Sequence, residues 1–308
     1  MRPKQIVRTM FWLLVLIGSS VACGNRPASP TPSLVSPTLT PSPTLTATPF
    51  QPSPTPIPLA ARVNGEAISL ADFQAELARY KAARQAAGLE VEAEAGKIVL
   101  DDLIDQLLLA QGAKEAGFVM DEAALQARLA ELIAEVGGEQ ALNQWLAKNG
   151  YTPASFRTAL ERSVAAAWMR DQIAASVPEI AEQVHARQIL HYNSELANQT
   201  LAQLQAGKDF ATLAADADPL TAGDLDWFPR GYMSEPKLEE AAFALQPEQY
   251  SEVIQTRFGY HIIQVIERQP QRPLSPDVLL TVQIQALREW LAKRRSQSEI
   301  IFYDLPGS

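Results

Sequence analysis

Three histidines (His185, His191 and His261) and one cysteine (Cys23) are the residues of this 308-residue chain best suited to metal, redox or nucleophilic chemistry. The histidines lack the i, i+4 spacing that places two imidazoles on one helix face, so no metal is expected. No GxSxG, CxxC, GxGxxG or GxxxxGK[ST] segment occurs, and no cofactor is expected either. Cys23 has no second cysteine with which to form a disulfide inside the chain. His261 falls in "GYHIIQVIER" and shares strand parity with Ile263 and Val265, so it faces inward, as a satisfied core histidine or as a site residue. In "VHARQIL", Gln188 shares a face with Val184, Ala186 and Leu190, while His185 and His191 have the opposite parity. Asp224 and Asp226 lie among turn residues and read as solvated charges.

What positions Cys23 is a leader. Arg2, Lys4 and Arg8 precede the apolar run Met10–Ile17, and small residues then lead into the cysteine. That layout is a secretory signal, and a run of about eight residues is too short to span a ~30 Å hydrocarbon core. The stretch "GSSVAC" resembles the lipobox of bacterial lipoproteins, with Ser20 where that family usually has Leu. The resemblance implies a lipidated Cys23 at the start of the mature chain; the alternative is an ordinary cleaved signal followed by a free thiol. Residues 23–59 form a Pro/Ser/Thr-rich tether, and 11 of the protein's 22 prolines lie between Arg26 and Pro58. Such sequence builds no core and favours polyproline II, reaching up to roughly 100 Å if extended. Removing residues 1–22 takes away three positive charges and no negative ones, so the net charge goes from −9 to −12. An acidic chain is a poor nucleic-acid partner.

Stepping along the remainder gives an α+β chain. Asn64-Gly65 is a hairpin signal, and Ser69 caps a first helix. A second runs from about Gly96 to Ala116, a third from Asp121 to Gly137, and a short fourth holds Leu142 and Trp145. Thr152-Pro153 opens a fifth that ends before Pro178. These elements make a helical domain over 60–178. From 179 to 270 the pattern is a strand at "VHARQIL", two helices broken at Gly207, turns around "DLDWF", a short helix at "KLEEAAFAL" and a strand at "GYHIIQVIER". In the 271–308 tail, Ser275-Pro276 opens a helix and "EIIFYDL" is a strand that could pair with "ARVNG".

The run "VHARQIL…DFATLA…GDLDWFPRGYM…LEEAAFAL…FGYHIIQV" resembles the parvulin (PpiC-type) peptidyl-prolyl cis-trans isomerases. The flanking "NGEAISLADFQAEL" and "LIDQLLLAQGAKEAG" resemble the N-terminal chaperone region of the SurA, PrsA and PpiD foldases. The resemblance implies a SurA-N-like helical domain, completed by the C-terminal helix and strand, with a parvulin domain inserted. It also implies that Met233, Leu238 and Phe258, with Leu225 beside them, hold a proline ring. Asp218 (with Asp216 as a rival match) and His261 would be the polar members. Gln188 stands where parvulins usually have His, and Leu238 where they usually have Phe, one residue further from Met233.

Isomerising an X-Pro bond needs no covalent step. The barrier is amide resonance, ~18–20 kcal/mol, and a site lowers it by favouring the twisted amide over the planar one. The expected function is therefore a lipid-anchored, extracytoplasmic foldase acting on unfolded exported polypeptides that contain proline. The alternatives are a holdase with a weak or inactive parvulin domain and, with only the tether in its favour, a surface scaffold.

Overall fold

The computed structural model describes residues 57–304. The leader, Cys23 and the Pro-rich segment through residue 56 lie outside them. Leu59–Val63 (β1) and Glu66–Ser69 (β2) form the expected hairpin. Both turn residues have positive φ, 50° at Asn64 and 85° at Gly65, as a type I′ turn requires.

Five helices follow: α1 (Leu70–Ala86), α2 (Ala95–Glu115), α3 (Glu122–Val136), α4 (Glu139–Lys148) and α5 (Pro153–Ala175). Three begin where the sequence offers a cap. The Ser69, Asp121 and Thr152 side chains accept from the N–H groups of Asp72, Ala124 and Ser155, each cap contributing ~1 kcal/mol. The apolar stripe of α2 supplies the first core, where Val99, Leu100, Ile104, Leu107 and Leu108 are buried against Val63, Ile68 and Phe73. Each such large side chain contributes about 1.5–3 kcal/mol by leaving water.

The next unit contains β3 (Ile180–His191), α6 (Ser194–Gln205), α7 (Phe210–Ala217), β4 (Asp224–Pro229), α8 (Pro236–Ala244), β5 (Ile254–Thr256) and β6 (Gly259–Pro273). Its antiparallel sheet has the order β4-β3-β6-β5. β3 and β6 outrun the apolar alternation seen in the sequence, because their ladder continues from His191↔Tyr260 to Ile180↔Pro273. Backbone pairing carries the polar ends, with register shifts at Ala181/Gln183 and His185/Ala186, and the buried Gln183 amide donates to the Arg272 and Pro273 carbonyls. "DLDWF", expected among turns, is the strand β4. Its Asp226 has φ 57° where the pairing with β3 shifts register between His185 and Arg187, which is a bulge. β5 has three residues, too few for alternation to be visible.

The chain ends back at the helices. α9 (Pro276–Ser296) lays Ala286, Leu287, Trp290 and Leu291 against Leu109, Ala166 and Ile173. β7 (Ile300–Phe302) pairs antiparallel with β1, completing a β2-β1-β7 sheet. The architecture is α+β, with the helical part completed by the last helix and strand.

Candidate active site

The central pair of strands decides what meets. Leu190 stands opposite His261 and Gln188 opposite Ile263, so Gln188 and His261 are diagonal neighbours on one sheet face. That face also carries Val184, Ala186, Ile263 and Val265, packed on Phe228 and on Ala242 and Phe243 of α8. The other face carries Ile189 and Ile262 against Leu201, Leu204, Phe210 and Ala214 of α6 and α7. His191 belongs there, its Nε2 2.9 Å from Thr200 Oγ1. His185 pairs with Asp224 at 2.9 Å beside Trp227.

His261 is 3 % exposed. Its Nδ1 lies 2.9 Å from Gln188 Oε1 and its Nε2 2.9 Å from Thr256 Oγ1. Since an amide oxygen only accepts, Nδ1 carries the proton, and Nε2 accepts from the threonine hydroxyl. The same Thr256 oxygen accepts the Phe258 N–H at 3.0 Å. One hydrogen-bonded line thus runs from the Phe258 backbone through Thr256 and His261 to Gln188. The Gln188 Nε2 amide has no protein acceptor among the described residues, which leaves a donor at the end of the line.

The apolar residues expected of the site differ in burial. Leu225 and Met233 are half-buried against the cluster containing Ile263 and Phe243. Leu238, in the first turn of α8, is 3 % exposed. Phe258 is 51 % exposed on the β5–β6 turn, where the Arg257 guanidinium lies over its ring at 4.8 Å. Arg257 in turn reaches Glu235, just before α8, at 2.7 Å.

Asp218, expected as a polar member of the site, is engaged by its own turn. Its carboxylate accepts the N–H groups of Leu220 and Thr221 and the Thr221 hydroxyl, all within its own turn. Those bonds hold its pKa below the usual carboxylate range. The rival Asp216 is exposed. The turn still touches the site through backbone: Gly223 O accepts the Gln188 N–H at 2.8 Å. Gly223 has φ 69°, and a Cβ there would lie 1.9 Å from Gln188 O, so only glycine fits.

Thr256 and Glu235 were missed by sequence reasoning. The signal for Thr256 was the hairpin "TRFG" before His261; without recognising β5, nothing placed a hydroxyl opposite that ring. Among the described residues no cluster of His, Cys, Asp and Glu could hold a metal, and no helix is long and apolar enough to cross a membrane. A second apolar feature lies in the helical part. There α3, α4 and α5 enclose a cleft of about 180 Å³ lined by Leu125, Leu129, Ile133, Leu142, Leu146 and Phe156.

Burial lowers the pKa of His261, outweighing the opposite pull of Glu235, and burial likewise lowers that of His191. Both rings are therefore neutral in the fold at pH values where unfolded histidine, with a pKa near ~6.5, begins to take up protons. The stability this neutrality carries is complete above about pH 6.5 and is lost as pH falls towards the depressed folded values. Denaturant midpoints measured from pH 8 to 5 should decline below ~6.5, and less steeply in His191→Gln. Equal slopes in parent and variant would mean that His191 does not contribute.

Known families and proteins resemble this chain in sequence. Residues 162–269 match the family described as the PPIC-type PPIase domain, and residues 47–170 match the SurA-like N-terminal domain. A foldase protein PrsA from Halalkalibacterium halodurans is 42 % identical over 91 residues, which cover 28 % of this chain and 27 % of that one. A foldase protein PrsA from Geobacillus kaustophilus is 31 % identical over 195 residues, covering 59 % and 66 %. The matches thus span from about a quarter to two thirds of these relatives. The crystal structure of the peptidylprolyl isomerase PrsA from Bacillus cereus superposes with a TM-score of 0.43 at 20 % identity, covering 78 % of this chain and 88 % of that one.

Proposed function

Since the chain joins a SurA-like N-terminal domain to a PPIC-type PPIase domain, we propose that it is a foldase that isomerises X-Pro bonds in exported polypeptides. The observation that carries this reading is the line Gln188–His261–Thr256, to which the proposal adds Met233, Leu238 and Phe258 as the apolar wall. A proline ring resting on these apolar side chains, with Leu225 alongside, presents its amide to Gln188 and His261. Twisting the amide localises the lone pair on nitrogen and diminishes the polar resonance form of the planar state. An apolar wall disfavours that polar form, and a donor near the nitrogen favours the twisted one; both act differentially on the transition state. The free Gln188 amide N–H is the group we assign to that donor role. His261, neutral and held at both nitrogens, keeps Gln188 oriented and needs no proton transfer. Asp218 shapes the turn that anchors the Gln188 backbone.

In the same proposal residues 1–22 are removed, Cys23 is lipidated, and residues 23–59 tether domains at 60–178, 179–270 and 271–308 to the outer face of the membrane. One acyl chain binds a membrane weakly, whereas several on one residue hold stably. The apolar cleft between α3, α4 and α5 favours a second activity, holding an unfolded chain by an apolar side chain; a holdase whose parvulin site is weak is the competing reading.

The deciding experiment is a proline-isomerisation assay on the mature chain with an X-Pro peptide, run beside aggregation of an unfolded client. Acceleration above the uncatalysed rate supports the foldase, and suppression of aggregation alone selects the holdase. Cys23→Ala, expressed in a bacterial host, should leave the precursor unlipidated and uncut; a variant that is processed like its parent would remove the anchor from the proposal.

A further inference from the structure

Two of the residues assigned above to the proline ring, Met233 and Leu238, are linked through one carboxylate. Glu239 Oε1 accepts the Gly231 N–H at 2.9 Å, and Oε2 accepts those of Tyr232 and Met233, each at 3.1 Å. Three successive backbone donors converging on an anion form a nest, and hydrogen bonds to an ionised acceptor are roughly twice as strong as neutral ones. Glu239 sits in the first turn of α8, where the helix dipole also favours negative charge. These N–H groups have no other acceptor among the described residues, since β4 ends at Pro229 and α8 begins at Pro236. Met233 lies on the tethered segment and Leu238 on the tethering turn.

We propose that Glu239 is a positioning residue that fixes the distance between Met233 and Leu238, and thereby sets the affinity of the site for a proline ring. It touches no substrate. Its carboxylate holds the Met233 backbone still, and the flexible Met233 side chain then needs to find only its own rotamer. Glu240, the next residue, is exposed and makes none of these bonds. The inference rests on the isomerase reading of this site.

The test uses the mature full-length chain, with Glu239→Ala, Glu239→Gln and, as control, Glu240→Ala. Four quantities are read: Kd for an X-Pro peptide, KM, kcat, and amide exchange at residues 231–233. Glu239→Ala should weaken Kd and KM by about tenfold, the loss expected of a charge-assisted hydrogen-bond set, with a much smaller change in kcat. Glu239→Gln, which keeps an acceptor without the charge, should fall between, and the 231–233 amides should exchange faster in both. Glu240→Ala should match the parent. Unchanged Kd and KM in Glu239→Ala, or in Glu239→Gln should the alanine variant not fold, would overturn the proposal. So would a fall in kcat alone, or a loss tracking Tm that glutamine does not rescue. A parent that neither binds nor isomerises the peptide sinks the function reading itself, an outcome separate from a parent that binds and a variant that binds as well.

Discussion

His261→Ala is expected to lower kcat/KM on an X-Pro peptide by about ten- to a hundredfold, because it strands two neighbours at once. The ring fills a space that is 3 % exposed and bridges Gln188 and Thr256 at 2.9 Å on either side. Its removal leaves the Gln188 oxygen and the Thr256 hydroxyl without this partner and frees the glutamine amide to rotate. Each buried hydrogen-bonding group left unsatisfied costs about 1–3 kcal/mol, and 1.4 kcal/mol is a factor of ten in rate. Gln188→His should act in the opposite direction. Histidine at 188 retains an acceptor for His261 Nδ1 when neutral, and a rigid ring has fewer rotamers than a glutamine side chain. It should raise kcat/KM. The parent activity, set by an amide that cannot titrate, should be reduced but present. A His261→Ala enzyme within twofold of its parent would mean the line of hydrogen bonds is only a structural pin. A parent at background whose Gln188→His variant is equally inactive would hand the function to the holdase reading.

The second large effect is on stability. Deleting residues 274–308 should lower the melting temperature of the helical part by tens of degrees, at ~2–4 °C per kcal/mol for a unit of this size, while the β3–β6 unit still melts cooperatively. The tail makes contacts that nothing else replaces. β7 supplies the outer partner of β1, and Asn64 in the hairpin turn donates to the Ser298 hydroxyl and accepts the Glu299 N–H. Arg295 reaches both Asp101 and Asp105 on α2, and Arg294 pairs with Glu115. Trp290 lies so close to α2 that a Cβ on Gly112 would come within 2.7 Å of its ring. A backbone gap shaped for one indole implies that Trp290→Ala alone should cost roughly 3 kcal/mol. Ladder pairing between β3 and β6 runs to Ile180↔Pro273, so a cut after residue 273 leaves that sheet whole. Two melting transitions, one lowered and one unmoved, is the expected thermogram. Unchanged melting of the helices after truncation would show that the tail rides on the fold without holding it.

Much of this protein was legible in local sequence. Helix starts were readable because capping is chemistry within four residues: Ser69, Asp121 and Thr152 each find an N–H three positions on. The Asn64-Gly65 hairpin was readable because few residue pairs accept two positive φ angles in succession. Alternation placed Gln188 and His261 on inward faces, since side chains on a strand change sides at every residue. Motif order across 182–268 then indicated the parvulin-type unit.

Alternation says which face a side chain takes but not what stands opposite it. That depends on the pairing of strands more than seventy residues apart, and only the fold set Leu190 against His261 so that Gln188 falls within 2.9 Å of the ring. The carboxylates show the same division. Asp218 and Glu239 are both acidic residues in a turn-rich stretch, yet one bonds its own turn while the other reaches back six to eight residues to hold the Met233 segment. Nothing in their types distinguishes them. A carboxylate accepts from whichever N–H groups point at it, and those directions are fixed by backbone that α8 and the sheet have already packed.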